Sequence, residues 1–355
     1  MEHKFPYKWT LKDANFTKDR GKVFSCFACG GGSTMGYKLA GFDVIGCNEI
    51  DPRMNKVYVA NHHPRLNFLC DVRDMKTIEL PDELYQLDIL DGSPPCSSFS
   101  MCGAREEGWG KEKKFREGQA TQVLDTLFFD FIDVAKRLQP KIVIAENVKG
   151  LILGEAVKYV ARIGRAFEEA GYYVTMTLCN SKTMGLPQMR ERTFFVAVRA
   201  DLVDYVPKNG LFNDPYIDLN FNEDVITWSE VQTQENDRPL SEQKHNLWKL
   251  RKNGDIDLSV CCERNGENPN KFFNCKFIYP DKVPNTVAGK DYCIVFEEGR
   301  FRNNTEIALC SSFPLDFDYQ GELTDYICGM SVPPVMMAQV ATRVWEQWLS
   351  KITAL

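Results

Sequence analysis

Short apolar runs, each closed by a glycine turn or a polar residue, recur along the N-terminal half of the chain. Lys22-Val23-Phe24-Ser25-Cys26-Phe27-Ala28 is the first; Asp43-Val44-Ile45-Gly46-Cys47, Leu66-Asn67-Phe68-Leu69-Cys70, Leu87-Asp88-Ile89-Leu90 and Lys141-Ile142-Val143-Ile144-Ala145 follow. Runs this short, bounded by turn residues, predict buried strands. Helix-like stretches separate them, one from the glycine turn to Ala40 and one around residues 122–138. Strands alternating with helices predict an open α/β sheet. Each strand hands a polar residue to the loop at its C-terminal end, namely Glu49 and Asp51, Asp71, Cys96 and Glu146. Ligands of open α/β sheets bind along that edge.

Four of these strand ends carry chemistry. The first runs into Cys29-Gly30-Gly31-Gly32-Ser33-Thr34-Met35-Gly36, a strand-turn-helix arrangement that brings backbone close to a ligand and offers it a helix N-terminus. Alone, such a turn is equally a plain flexible loop. A carboxylate follows the glycines at about the spacing of a ribose-binding acid, Glu49 in Asn48-Glu49-Ile50-Asp51. At the fourth strand, Pro94 and Pro95 in Asp91-Gly92-Ser93-Pro94-Pro95-Cys96 must end the ladder, because neither donates a backbone hydrogen bond. Cys96 therefore stands on a stiff loop, placed to react. Glu146 follows an apolar run in Ala145-Glu146-Asn147, where poor solvation would raise its pKa and suit it to proton donation. A helix cap or surface glutamate is the plainer alternative.

Composition narrows the class. With 355 residues, 44% of them hydrophobic, the chain can bury one large core plus a smaller one. No apolar run reaches the length of a membrane span, and the N-terminus lacks the apolar core of a secretory signal. The 13 cysteines, an odd number at irregular spacing, fit free thiols and a cytoplasmic protein, and Cys261, Cys262 and Cys275 lack the paired spacing of a zinc site. A net charge of -6 argues mildly against a protein that coats nucleic acid and leaves local clusters to decide.

Several fragments in one order make the chain resemble the DNA (cytosine-5)-methyltransferases over nearly its whole length. Phe27-Ala28-Cys29-Gly30-Gly31-Gly32 is similar to that family's first motif, Asn48-Glu49-Ile50-Asp51 to its second and Asp71-Val72 to its third. Pro94-Pro95-Cys96 resembles the catalytic loop, Glu146-Asn147-Val148 the ENV motif, Gln188-Met189-Arg190-Glu191-Arg192 the QxRxR motif and Gly329-Met330-Ser331-Val332-Pro333-Pro334 the closing GNxVPP motif. Departures are Cys29 where glycine is usual, Ser97 after the nucleophile, Met330 in the closing motif, and Thr305 where an arginine usually stands beside Glu306.

The resemblance implies a Rossmann-like S-adenosylmethionine-dependent sheet with a smaller target-recognition domain. Residues 1–200 would form the catalytic and cofactor-binding domain, residues 201–282 the recognition domain, and residues 283–355 a segment returning to the catalytic domain. Phe27, Ala28, Cys29, Gly30, Gly32, Glu49, Ile50, Asp71, Val72, Pro94, Ser331 and Val332 would hold S-adenosylmethionine. Glu49 would face the ribose hydroxyls, Ile50 the adenine ring and Asp71 the adenine amino group. Cys96 would be the nucleophile that adds to carbon 6 of cytosine. Glu146 and Arg192 would grip the base, Asn147 would brace the loop, and Arg190 completes the expected catalytic set. Double-stranded DNA with a flipped base is the expected partner. A cognate restriction endonuclease is a further candidate, and a monomer is the expected state. The same reaction on tRNA, or an inactive DNA-binding regulator, are the alternatives; a dinucleotide oxidoreductase would share the glycine turn but not the Pro-Pro-Cys loop.

Two other segments carry expectations. The glycine-rich, charged stretch 101–116 after Cys96 suits a lid that supplies Arg105 or Lys111 to phosphates, or a solvated loop. Within the recognition region, Lys244, Lys249, Arg251 and Lys252 surround Trp248 and form a basic cluster suited to phosphate contact or to plain solvation.

Overall fold

The structure, a computed structural model, describes residues 3–95, 126–152, 156–210, 214–236 and 238–353. Cys96, Ser97 and the stretch 101–116 lie outside the described residues. Two compact units emerge, one of residues 15–180, 191–221 and 336–355, the other of residues 1–14, 181–190 and 222–335.

The first unit is built on a seven-stranded sheet of order β3-β2-β1-β4-β5-β7-β6. Its strands are β1 (Lys22–Cys26), β2 (Asp43–Glu49), β3 (Leu66–Leu69), β4 (Ile89–Gly92), β5 (Ile142–Val148), β6 (Tyr172–Asn180) and β7 (Glu191–Arg199). The five runs read as strands in the sequence are β1 to β5. Those five pair in parallel, whereas β7 runs antiparallel to both β5 and β6. That reversal matters for the site. Parallel strands deliver their ends to one edge, and the antiparallel β7 brings its beginning there, setting Arg192 opposite Val148.

Helices α1 (Gly32–Leu39), α2 (Pro52–His62), α3 (Leu127–Leu138) and α4 (Ala156–Glu169) complete this unit. Asp51 starts α2 by accepting a hydrogen bond from Arg53 N at 2.8 Å, and Pro52 suits the first helical turn because it has no N–H to leave unpaired. Along α3, Leu127, Phe128, Phe131, Ile132, Val134, Ala135 and Leu138 are buried at helical spacing against Phe24, Leu90, Val143 and Phe195 of the sheet. Each large apolar side chain so buried contributes about 1.5 to 3 kcal/mol. Gln139, in the left-handed region at φ 51°, closes the helix, and Pro140 follows. At Gly92 a Cβ would approach Phe131 of this helix to 2.5 Å, so the strand leading toward Cys96 must carry glycine for α3 to pack.

The second unit holds a small sheet of Phe277–Ile278, Ile294–Val295 and Arg300–Phe301 with short helices around it. Arg302 and Asp291 pair at 2.7 Å with both side chains buried. Glu306, which lacks the usual neighbouring arginine, receives one from the small sheet: Arg300 meets its two oxygens at 2.7 and 2.8 Å. Asn303 and Glu306 also form a reciprocal cap at the helix Asn304–Cys310. Thr305 therefore leaves no gap.

The boundaries drawn at 200 and 282 do not coincide with these units. Residues 283–335 pack with 222–282 because the strand at 277–278 pairs with that at 294–295. Residues 201–221 join the sheet unit, where Trp348 Nε1 donates to Tyr216 O at 2.8 Å. Only residues 336–355 of the last segment return to the sheet unit. No helix among the described residues is long and apolar enough to cross a membrane.

Candidate active site

The glycine turn has unusual backbone geometry. Phe27, Cys29 and Gly31 all take positive φ, at 54°, 47° and 85°. Alternating left-handed residues curl a backbone into a concavity that suits an anionic group. Cys29 occupies a conformation that favours glycine, at a cost of about 1 to 2 kcal/mol. This gives the departure at Cys29 its physical meaning: strain held in the turn. At Gly31 a Cβ would meet His62 Nε2 at 2.1 Å, so the glycine is fixed both by backbone and by close approach.

His62 was not foreseen from the sequence, since it lies a helix away from the glycines and belongs to no motif. It is buried behind the turn with Nε2 3.3 Å from Gly30 O, and Lys38 Nζ lies 3.5 Å from its Nδ1. Burial, with the Lys38 charge second, pushes the imidazole well below its usual pKa, and burial brings Lys38 down to about 8.

At the end of β2, Glu49 is held by three backbone donors: Cys29 N at 2.7 Å, Ile50 N at 2.9 Å and Asp51 N at 2.8 Å. Burial raises its pKa, and the N–H groups of Asp51, Cys29 and Ile50 oppose that rise. Ile50, next in the chain, exposes 38% of its surface although it is aliphatic, a flat apolar face beside a fixed carboxylate. Beyond β3, Asp71 is half-buried and bonds Arg73 N at 2.9 Å and Arg73 Nη1 at 3.0 Å, while Val72 is buried.

On the other half of the edge, Glu146 and Arg192 form a mostly buried ion pair, with Nε 2.6 Å from Oε1. Burial pulls the Arg192 pKa down while Glu146 holds it up. The sequence offered Glu146 as a lone carboxylate; the antiparallel β7 supplies its cation. Asn147 Nδ2 donates to Pro94 O at 3.1 Å and so ties the end of β5 to the proline loop. Pro94 is buried, and its immediate successors toward Cys96 are Pro95 and then the nucleophile candidate itself, outside the described residues.

In the second unit, Arg190 is buried and donates to Val287 O at 3.1 Å, Gly329 O at 2.9 Å and Ser331 O at 2.9 Å. With its guanidinium spent on main-chain carbonyls, it supports the closing motif rather than a reacting base. Gln188 does similar work, donating to Cys310 O at 2.8 Å and accepting from Val287 N at 3.1 Å. Val332 is buried, and Ser331 Oγ is buried with no hydrogen-bond partner among the described residues. Replacing Arg190 by methionine strands three carbonyls, each worth about 1 to 3 kcal/mol. Thermal unfolding should show a loss of at least about 3 kcal/mol; a midpoint equal to that of the wild type would contradict this role.

The basic cluster around Trp248 divides. Lys244 Nζ lies over three rings, Phe272, Tyr292 and Phe301, at 5.3, 5.6 and 5.4 Å, and the Arg251 guanidinium stacks on Trp248 at 3.6 Å. These two cations are committed to internal aromatic contacts. Lys249 and Lys252 remain exposed.

Comparison with known proteins agrees with this geometry. The profile described as C-5 cytosine-specific DNA methylase matches residues 21–346, and the chain belongs to that family. It is 36% identical over 181 residues to the type II methyltransferase M.FnuDI of Fusobacterium nucleatum, covering 51% of this chain and 48% of that one. The chain thus spans about half the length of that relative. To the type II methyltransferase M1.HphI of Haemophilus parahaemolyticus it is 27% identical over 333 residues, covering 90% and 85%. Its fold is similar to that of a putative DNA modification methyltransferase encoded within an Escherichia coli prophage, at a TM-score of 0.63 and 18% identity over 92% of this chain and 99% of that one.

Proposed function

We propose that the chain methylates carbon 5 of cytosine in duplex DNA, with S-adenosylmethionine as methyl source. The observation that carries this is the convergence of the Glu146–Arg192 pair and the Asn147-braced proline loop at one sheet edge. That edge also holds the strained glycine turn and the fixed carboxylate of Glu49.

The residues present fit the cofactor. Glu49 is immobilised where a ribose diol can be bound, Ile50 offers an exposed apolar face to a flat ring, and the curled turn at 27–31 suits a carboxylate. Ala28, Gly30, Gly32, Asp71, Val72 and Pro94 complete the proposed set on the sheet unit. When bound, the cofactor supplies an electrophilic methyl group. The Cys96 thiolate adds to carbon 6 of the flipped cytosine, pushing electron density onto carbon 5. Glu146 shares a proton with N3 and Arg192 holds Glu146 in place, so the growing charge on the base is stabilised. Methylation at carbon 5 is followed by removal of the carbon 5 proton, and the thiolate leaves as the ring double bond reforms. Labelled methyl transfer to duplex DNA but not to tRNA is the expected result; transfer to tRNA alone would overturn the choice of substrate.

The segment 201–282 is the proposed reader of target sequence, since no residue assigned to cofactor or bond-making falls in it. Exchanging it for the matching segment of a relative should change the methylated site and not the methylated atom. Bisulfite sequencing of DNA from expressing cells reads both, and an active exchanged protein with its original target would place recognition elsewhere. A cytoplasmic monomer completes this reading, and the type II naming of relatives supports a cognate restriction endonuclease working beside it.

A further inference from the structure

One buried carboxylate at the sheet edge has no place in the mechanism above. Asp91 lies on β4, three residues before Pro94, and only 1% of its surface is exposed. Ser25 Oγ on β1 donates to its Oδ2 at 2.7 Å, and Tyr37 OH on α1 donates to its Oδ1 at 3.2 Å. Ser25 and Asp91 are direct partners in the β1–β4 register. Ser25 stands just before the glycine turn and Tyr37 lies on the helix just after it, so one carboxylate grips both flanks of the turn from the strand that leads to the proline loop.

No arginine or lysine bonds Asp91 among the described residues. The titratable groups around it are Cys26 on β1, Tyr37 on α1, Tyr58 on α2 and Glu146 on β5. Burial raises Asp91 to about 7, the Ser25 and Tyr37 hydroxyls oppose that rise, and the charge of Glu146 adds to it. Cys26, Tyr37 and Tyr58 are all pushed upward, chiefly by burial, and do not titrate in this range.

We propose that Asp91 is a positioning residue that fixes the glycine turn relative to the proline loop, and that ionised Asp91 is the form that favours the cationic cofactor. Ionised, it accepts both hydroxyls and holds both flanks; protonated, it loses acceptor capacity and its complementary charge. The inference rests on the proposed cofactor, so its test has one arm that does not need it.

In the first arm, thermal unfolding of the ligand-free full chain is followed from pH 5.5 to 8.5. A carboxyl whose pKa is raised in the folded state contributes stability below its unfolded value and loses it as pH rises through the folded value. The wild type should therefore lose stability relative to Asp91→Asn as pH rises from 5.5 to about 7 and run parallel to it above that; curves parallel over the whole range would overturn the titration. In the second arm, S-adenosylmethionine binding without DNA is measured by calorimetry. Wild-type affinity should rise about fivefold between pH 6 and pH 8, as a one-unit lowering of the Asp91 pKa from about 7 on binding requires. Asp91→Asn should stay at the weaker level across that range, and any step it keeps near pH 8 belongs to Lys38. Ser25→Ala, which removes a donor that lowers the Asp91 pKa, should move the wild-type step to higher pH. A purely structural role would leave that midpoint unmoved. Equal affinity and equal pH dependence in Asp91→Asn and wild type would overturn the proposal alone, whereas no binding by either protein at any pH would overturn it together with the cofactor.

Discussion

Replacing Cys96 by alanine should abolish methyl transfer, by at least about 10⁴-fold, the scale on which loss of a catalytic nucleophile is felt. Cofactor binding should survive the change. The proposed pocket is drawn from β1, the glycine turn, Glu49 and Asp71, and the hydrogen bonds that hold Glu49 and Asp71 do not involve the cysteine. Folding should also survive, because the loop's root is held by Asn147 to the carbonyl of Pro94, one residue before Pro95. Radiolabelled methyl transfer and calorimetric binding, run on the same preparation, separate the two effects. An alanine variant that turns over normally would remove Cys96 from the mechanism.

The second large effect belongs to the acid. Glu146→Gln should slow transfer by about 10² to 10⁴, the range of a lost general acid. The amide is nearly isosteric, and its carbonyl can still accept from Arg192 Nε, where the carboxylate oxygen now lies at 2.6 Å. It cannot offer the acid proton to N3. Because a buried cation left without its partner is costly, the variant's unfolding midpoint must be measured beside its rate. A folded Glu146→Gln protein with wild-type turnover would take Glu146 out of the chemistry.

How much of this was legible in the sequence depends on the range of the interaction. β1 to β5 and their polar ends could be read because strand, turn and terminal residue are neighbours in the chain. Glu49 could be placed by spacing, since α1 and β2 set a nearly constant path from the glycines. The direction of β7 could not, because nothing local distinguishes an antiparallel return from another crossover, and with it went the reason Arg192 meets Glu146. Arg190 and Arg192 look alike as motif letters, yet one faces three carbonyls and the other a carboxylate. The same limit hid Arg300 as the partner of Glu306, His62 behind Gly31, and the rings around Lys244. Each of these depends on segments distant in sequence being packed together, and a cluster of cations in the chain says nothing of which are already taken. Asp91 left a trace, a carboxylate in an otherwise apolar strand, but its hydroxyl partners on β1 and α1 could only be seen in the fold.

The most direct test of the central claim is covalent trapping. The full chain is incubated with S-adenosylmethionine and a duplex pool in which 5-fluorocytosine replaces cytosine, and the product is resolved on a denaturing gel and digested for peptide mass spectrometry. Fluorine at carbon 5 cannot leave as the proton does, so the thiolate cannot be expelled after methylation. The account predicts a denaturant-stable protein–DNA adduct that requires cofactor, carries a methylated 5-fluorocytosine and maps to Cys96. Methylated DNA without an adduct, or an adduct at any other residue, would contradict it.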